Sequence, residues 1–92
     1  IALAPKDSMN EKTCSNIEEI RARGGKVIAV TTEGNADIHR IADDVIFVPP
    51  THETLLPVLT AIPLQLFAYY IARERGLPID KPRNLAKSVT VE

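Results

Sequence analysis

The sequence predicts an α/β fold, part of a flavodoxin-like parallel sheet in three layers with helices on both faces. Three apolar, strand-like runs alternate with segments of helical periodicity. Each run is apolar at successive positions, which is typical of strands covered on both faces. Such sheets have about five strands. Because only three are present and the chain opens directly on a strand, we expect the sequence to be part of a longer chain.

The first half is predicted to form strand, helix and strand. Residues 1–4 form a strand that ends at Pro5. Ser8 and Glu11 have the spacing of a capping box, which predicts a helix start. That helix runs to about Arg23 and stops at Gly24 and Gly25. Its apolar face is Met9, Ile17 and Ile20, with Thr13 at the same spacing. Residues 26–31 (KVIAVT) form the second strand.

The second half is predicted to hold a short helix, a third strand and a long helix. Asn35 caps the short helix, and residues 44–48 (DVIFV) form the strand before Pro49 and Pro50. Thr51 is predicted to cap the long helical segment, which runs to Arg75 and stops at Gly76, with an irregular first turn before Pro57 and a kink near Pro63. Its predicted apolar face consists of Leu59, Ile62, Leu66, Tyr69 and Tyr70.

Composition excludes several classes of function. The formal net charge is -1, which argues against a nucleic-acid platform. The apolar residues 55–72 are interrupted by Pro57, Pro63 and Gln65, so we interpret them as a buried helix rather than a membrane span. Cys14 is the only cysteine, so no disulfide forms within the chain and a reducing cytoplasm is the simplest location.

Polar loops follow all three predicted strands. In an open parallel sheet, ligands bind beyond the carboxyl ends of the strands. The three loops here are residues 5–8, 31–35 and 50–53, and each leads into a helix N-terminus. A phosphorylated ligand is chemically plausible there. Capping alone also explains Ser8, Asn35 and Thr51, so both interpretations stay open.

No known cofactor or metal motif is present. The sequence lacks GxGxxG and GxxxxGK[ST], and His39, His52 and Cys14 have no partners at metal-ligand spacing. We therefore expect neither a cofactor nor a metal. His52 and Glu53 could form an acid/base pair, but a surface first turn is the simpler interpretation. Cys14 lies within a helix and is expected to be inert.

The carboxyl-terminal tail carries the strongest functional candidate. Residues 77–82 (LPIDKP) are stiffened by proline and are predicted to be non-helical. Leu85, Val89 and Val91 are apolar residues that a solvated tail does not need. A tail that packs could carry Lys87 into a cleft, where a partly desolvated lysine can attack a carbonyl to form a Schiff base.

Three stretches are similar to one known family. SNIEEIRARGG (15–25), PLQLFAY (63–69) and PRNLAKSVTVE (82–92) closely resemble the carboxyl end of the glutamine–fructose-6-phosphate aminotransferases, the glucosamine-6-phosphate synthases. The resemblance covers essentially the whole chain. It implies that residues 1–76 are the carboxyl-terminal half of the second sugar-isomerase (SIS) domain, and that residues 77–92 are a tail closing the sugar-phosphate site.

The resemblance also implies the chemistry and the partners. Lys87 would form a Schiff base with open-chain fructose 6-phosphate, the backbone at Ala86 would touch the sugar, and ammonia would give glucosamine 6-phosphate. The glutaminase domain of the same chain supplies that ammonia, and the family suggests a homodimer. The family's base, ring-opening histidine and phosphate loop would lie upstream of Ile1, so we expect these 92 residues alone to be inactive.

Two alternatives remain at this stage. The chain could belong to a phosphosugar-binding SIS module that does no chemistry, although such a sensor needs no reactive tail lysine. The tail could instead only clamp a domain or subunit interface, with Lys87 in a salt bridge. Lys87→Arg separates the two roles, because an arginine keeps the charge but stays protonated and cannot form the imine.

Overall fold

The computed structural model describes residues 1–81, and three short strands form its centre. They are β1 (Ala2–Leu3), β2 (Ile28–Thr32) and β3 (Asp44–Val48), which form a parallel sheet in the order β1-β2-β3. Leu3 lies opposite Val30, and β2 and β3 are in register over their full length. The predicted third strand has the same bounds as β3, and the α/β fold class is confirmed.

Two long helices follow the strands. The first, α1 (Asn10–Ala22), connects β1 to β2. It ends before Gly24, whose φ of 80° lies in the left-handed region that favours glycine. A 3-10 turn (Ala36–Arg40) connects β2 to β3, and a second 3-10 turn (Glu53–Leu55) leads into α2 (Leu56–Glu74). That second turn is the irregular start predicted before Pro57, which lies in the first helical turn of α2.

The hydrophobic core lies between the sheet and α1. Ile17 of α1 is 1% exposed and packs with Ala4 just after β1, with Ala29 of β2 and with Ile38 of the first 3-10 turn. Ala29 therefore faces α1, and its neighbour Val30 faces the opposite side because strand side chains alternate.

The opposite face of the sheet carries α2. Leu3, which is paired with Val30, lines a groove together with Leu56 and Thr60 of α2. Both residues of α2 are buried, and the helix contacts β2 and β3. Helices therefore cover both faces of the sheet, as the sequence predicted.

The predicted apolar face of α2 is not the face that packs against the sheet. Ile62, Leu66, Tyr69 and Tyr70 were predicted to belong to its apolar face, but within residues 1–81 they are 41–50% exposed, and Leu59 is half-buried. The helix is apolar on nearly every side, so its periodicity does not mark the face that meets the sheet. The segment Glu53–Glu74 is long and apolar enough to cross a membrane by length and composition alone, and only 11% of that stretch is buried. In the described part of the chain the helix is therefore more exposed than was predicted.

Candidate functional site

The three polar loops meet at one edge of the sheet, which we call the carboxyl edge. The parallel register brings the ends of β1, β2 and β3 side by side. The amide of Glu33, just after β2, donates to the carbonyl of Val48 at the end of β3 (2.9 Å), which holds these two loops together. The three loops are thus part of one surface, as expected for a parallel sheet.

Two threonine hydroxyls at the end of β2 fasten the loops to the sheet. Thr31 is fully buried, and its Oγ1 donates to the carbonyl of Ala4 (2.7 Å) and accepts from Nδ2 of Asn35 (3.0 Å). Thr32 accepts from the backbone amide of Lys6 (3.1 Å). The carboxyl edge is therefore held by hydrogen bonds from within the sheet. Asn35 was predicted to cap the short helix with its side chain. Its Nδ2 donates to Thr31 instead, and the side chain makes no capping hydrogen bond.

Ser8 connects the first loop to the third. Its hydroxyl donates to Oε1 of Glu53 (2.8 Å), so the predicted capping box with Glu11 is wrong. The turn before α1 is instead closed by Asp7, whose Oδ1 accepts from the amide of Met9 (2.9 Å). Ser8 therefore bonds across the carboxyl edge instead of capping α1, because Glu53, 45 residues away in sequence, lies within hydrogen-bond distance of its hydroxyl.

His52, rather than Thr51, caps the second 3-10 turn. Its Nδ1 accepts from the amide of Thr54 at 3.3 Å and lies 2.8 Å from the hydroxyl of the same residue. Thr51 was predicted as the cap, but the helical structure begins one residue later, at Glu53. Nδ1 of His52 is hydrogen-bonded to Thr54, and the Glu53 carboxylate is hydrogen-bonded to Ser8. The two side chains therefore have the arrangement of a surface first turn rather than of an acid/base pair.

An apolar groove with an acidic rim lies between the first loop and the start of α2. We call it the edge groove, and its volume is about 460 Å³. Asp7 and Glu53 form its rim, and neither is in a salt bridge within residues 1–81. The remaining lining residues are Leu3, Pro5, Leu56, Pro57, Thr60, Ala61 and Leu64.

The chain reverses direction where α2 ends. Gly76 has a φ of 64°, and its amide donates to the carbonyl of Arg73 (3.0 Å). The next amide, of Leu77, donates to the carbonyl of Ala72 (2.8 Å). These two bonds are those of a Schellman motif, which turns the chain out of the helix. Residues 77–79 then line a second groove of about 510 Å³ together with Gln65, Ala68, Tyr69 and Ala72 of α2.

The two predicted site residues, Lys87 and Ala86, lie outside the described residues. The prediction that Cys14 is inert is supported, because burial raises the pKa of its thiol and the nearby Glu18 carboxylate raises it further. Sequence reasoning did not single out Thr31 or Asp7 as side chains that fasten the carboxyl edge. For Thr31 the available signal in the sequence was the pair of adjacent threonines that ends an otherwise apolar strand.

Comparison with known proteins gives the class first. The model of the SIS domain family matches residues 1–75, and the chain belongs to that family. The chain is also 59% identical, over all 92 of its residues, to glutamine–fructose-6-phosphate aminotransferase [isomerizing] of Thermus thermophilus. The protein of the same name from Caldanaerobacter subterraneus is 56% identical over 92 residues, and that of Bacteroides thetaiotaomicron 53%. The predicted resemblance is therefore confirmed. The chain spans about 15% of the length of each of these relatives.

Proposed function

We propose that this chain is the carboxyl-terminal segment of the isomerase part of a glutamine–fructose-6-phosphate aminotransferase, and that Lys87 is its catalytic residue. The observation that carries the proposal is the extent of the similarity. The SIS domain match ends at residue 75, but the identity to the aminotransferases continues over all 92 residues. The tail that contains Lys87 therefore belongs to the part shared with the aminotransferases.

The proposed chemistry needs a neutral amine at Lys87. Its Nζ adds to the C2 carbonyl of open-chain fructose 6-phosphate, and loss of water gives an imine. When protonated, this imine is more electrophilic than the ketone. Ammonia then adds to C2 and the lysine amine leaves, so the sugar carries the nitrogen. A proton then moves from C1 to C2 and the proton of the C1 hydroxyl passes to the nitrogen, so that the C2 imine becomes the 2-amino aldose glucosamine 6-phosphate with no net oxidation or reduction.

The fold supports a tail that returns to the carboxyl edge. The Schellman motif after α2 turns the chain back along the helix, and the start of α2 lies at that edge, where Glu53 bonds to Ser8. Ligands of open parallel sheets bind at such edges. In this proposal the backbone of Ala86, next to the nucleophile, contacts the sugar.

The remaining parts of the proposal concern the complete polypeptide. Residues 1–76 are its second SIS domain in part, and residues 77–92 are the tail. A glutaminase domain of the same polypeptide supplies ammonia, fructose 6-phosphate is the acceptor, and the working form is a cytoplasmic homodimer. The 92 residues alone should be inactive, because the proposal places the proton-transferring base outside them.

The test is Lys87→Arg in the complete polypeptide that carries this sequence. Glucosamine 6-phosphate formation should fall by at least about 100-fold, because guanidinium stays protonated and cannot form the imine. Lys81→Arg, an exposed lysine six positions earlier, is the matched control and should leave the rate unchanged. If Lys87→Arg keeps more than about half of the activity, the tail is a clamp held by charge and the imine proposal is wrong.

A further inference from the structure

The three loops of the carboxyl edge are joined to one another by a closed ring of hydrogen bonds. The first loop is joined to the second because the amide of Lys6 donates to Oγ1 of Thr32 (3.1 Å). The second loop is joined to the third because the amide of Glu33 donates to the carbonyl of Val48 (2.9 Å). Both of these bonds lie directly beyond the strand ends, and a backbone amide is the donor in each.

The bond that closes the ring is made by two side chains, and we call it the closing bond. The hydroxyl of Ser8 in the first loop donates to Oε1 of Glu53 in the third loop (2.8 Å). Both residues are exposed, so water competes for this bond. The closing bond is therefore the part of the ring that a single substitution opens most easily.

Each of the two loops has a turn of its own that does not depend on the closing bond. In the first loop, Oδ1 of Asp7 accepts from the amide of Met9 (2.9 Å). In the third loop, Nδ1 of His52 accepts from the amide of Thr54 (3.3 Å). The closing bond is not needed to form either turn, so its effect is to fix the position of the first loop relative to the start of α2.

We propose that Ser8 and Glu53 are positioning residues for the sugar that binds at the carboxyl edge. The inference rests on the proposed function, in which fructose 6-phosphate binds where the three strands end. In this proposal neither side chain contacts the reacting atoms. The closing bond holds the first and third loops in one arrangement before the sugar binds, which strengthens binding because less loop ordering has to accompany it.

Glu11 provides a matched control for Glu53. It stands three residues after Ser8, at the spacing of a capping box, and its side chain is exposed. Like Glu53, it is an acidic residue in the first turn of its helix. Glu11→Ala therefore removes a comparable charge but leaves the closing bond in place.

Steady-state kinetics of the complete polypeptide, with fructose 6-phosphate as the varied substrate, test the proposal. Ser8→Ala and Glu53→Ala should each raise KM by about 3- to 10-fold, as expected for one lost hydrogen bond, and should change kcat by less than about twofold. Glu53→Gln removes the charge but keeps an oxygen that accepts from Ser8, so KM should rise by less than about twofold. Glu11→Ala should leave KM unchanged.

The double variant, Ser8→Ala with Glu53→Ala, distinguishes one shared bond from two separate effects. If the bond is shared, the KM of the double variant should match that of either single variant within about twofold, because the second substitution has nothing left to remove. An unchanged KM in the single variants, effects that multiply in the double variant, or an equal rise for Glu11→Ala overturns the proposal.

Hydrogen exchange separates the failure of this proposal from the failure of the proposed function. Without sugar, the peptides that cover residues 5–9 and 50–55 should exchange at least about threefold faster in Ser8→Ala and Glu53→Ala, but not in Glu11→Ala. If the unmodified polypeptide forms no glucosamine 6-phosphate, the proposed function fails, and exchange alone decides whether the closing bond holds the two loops. If product forms but neither exchange nor KM changes in the variants, the proposed function stands and the positioning role is rejected.

Discussion

Thr31→Val removes one hydroxyl from the centre of the carboxyl edge without leaving a cavity. Valine has nearly the same shape as threonine, so the loss is confined to hydrogen bonds. The Thr31 hydroxyl is fully buried and makes two of them, to the carbonyl of Ala4 and from Nδ2 of Asn35. The Ala4 carbonyl keeps a second donor, Nδ2 of Asn10 at 3.0 Å, and half-buried Asn35 can turn to water.

The expected cost follows from that inventory. One net buried hydrogen bond contributes about 1 kcal/mol to the free energy of unfolding, and no group is left wholly unpaired. We therefore expect Thr31→Val to lower the free energy of unfolding by about 1–2 kcal/mol. This corresponds to a loss of about 5- to 30-fold in the protection of backbone amides that exchange through opening of the sheet. Hydrogen exchange of the peptides that cover β1 and β2, measured by mass spectrometry on the complete polypeptide, reads this loss directly.

Thr60→Val is the matched control. Thr60 is also buried, but its hydroxyl donates within its own helix to the carbonyl of Leu56 (2.9 Å). Such bonds contribute little to helix stability, so the expected cost is below about 0.5 kcal/mol. The reasoning is refuted if the two variants lose equal protection, or if Thr31→Val loses less than about twofold.

Two further predictions concern the α1 side of the molecule. Ile17→Ala should lower the free energy of unfolding by about 2–5 kcal/mol, because Ile17 is 1% exposed at the centre of the core. Unfolding in urea measures this loss. The control, Ile20→Ala at a site 48% exposed, should lower it much less. Cys14 should react slowly with iodoacetamide at pH 8, because its raised pKa leaves little thiolate until the pH is higher. Glu18→Gln removes a negative charge, lowers that pKa and should speed the alkylation; an unchanged rate would contradict the assigned cause.

The sheet could be predicted from sequence because its strands are short apolar runs with clear boundaries. Residues 44–48 lie between polar Asp43 and the prolines at 49 and 50, and β3 has the same bounds. The end of α2 at Gly76 was equally clear, because a left-handed residue closes the Schellman motif.

The contacts between loops could not be predicted in the same way. Ser8 has the local spacing of a capping residue, but its partner is Glu53, and nothing in the sequence near Ser8 indicates that bond. The buried face of α2 was also hidden, because apolar residues surround the helix and only packing against β2 and β3 selects Leu56 and Thr60. For Lys87 the sequence pattern gave only a hypothesis, which the similarity over the whole chain now supports without testing the residue's role.

Trapping the imine tests the central claim most directly. The complete polypeptide is incubated with fructose 6-phosphate, reduced with borohydride and digested, and the peptide that contains Lys87 is examined by mass spectrometry. We predict a hexose-phosphate adduct on Lys87 that is absent in Lys87→Arg. If the sugar binds but no adduct forms on Lys87, and Lys87→Arg still makes glucosamine 6-phosphate at the normal rate, the lysine is not the nucleophile.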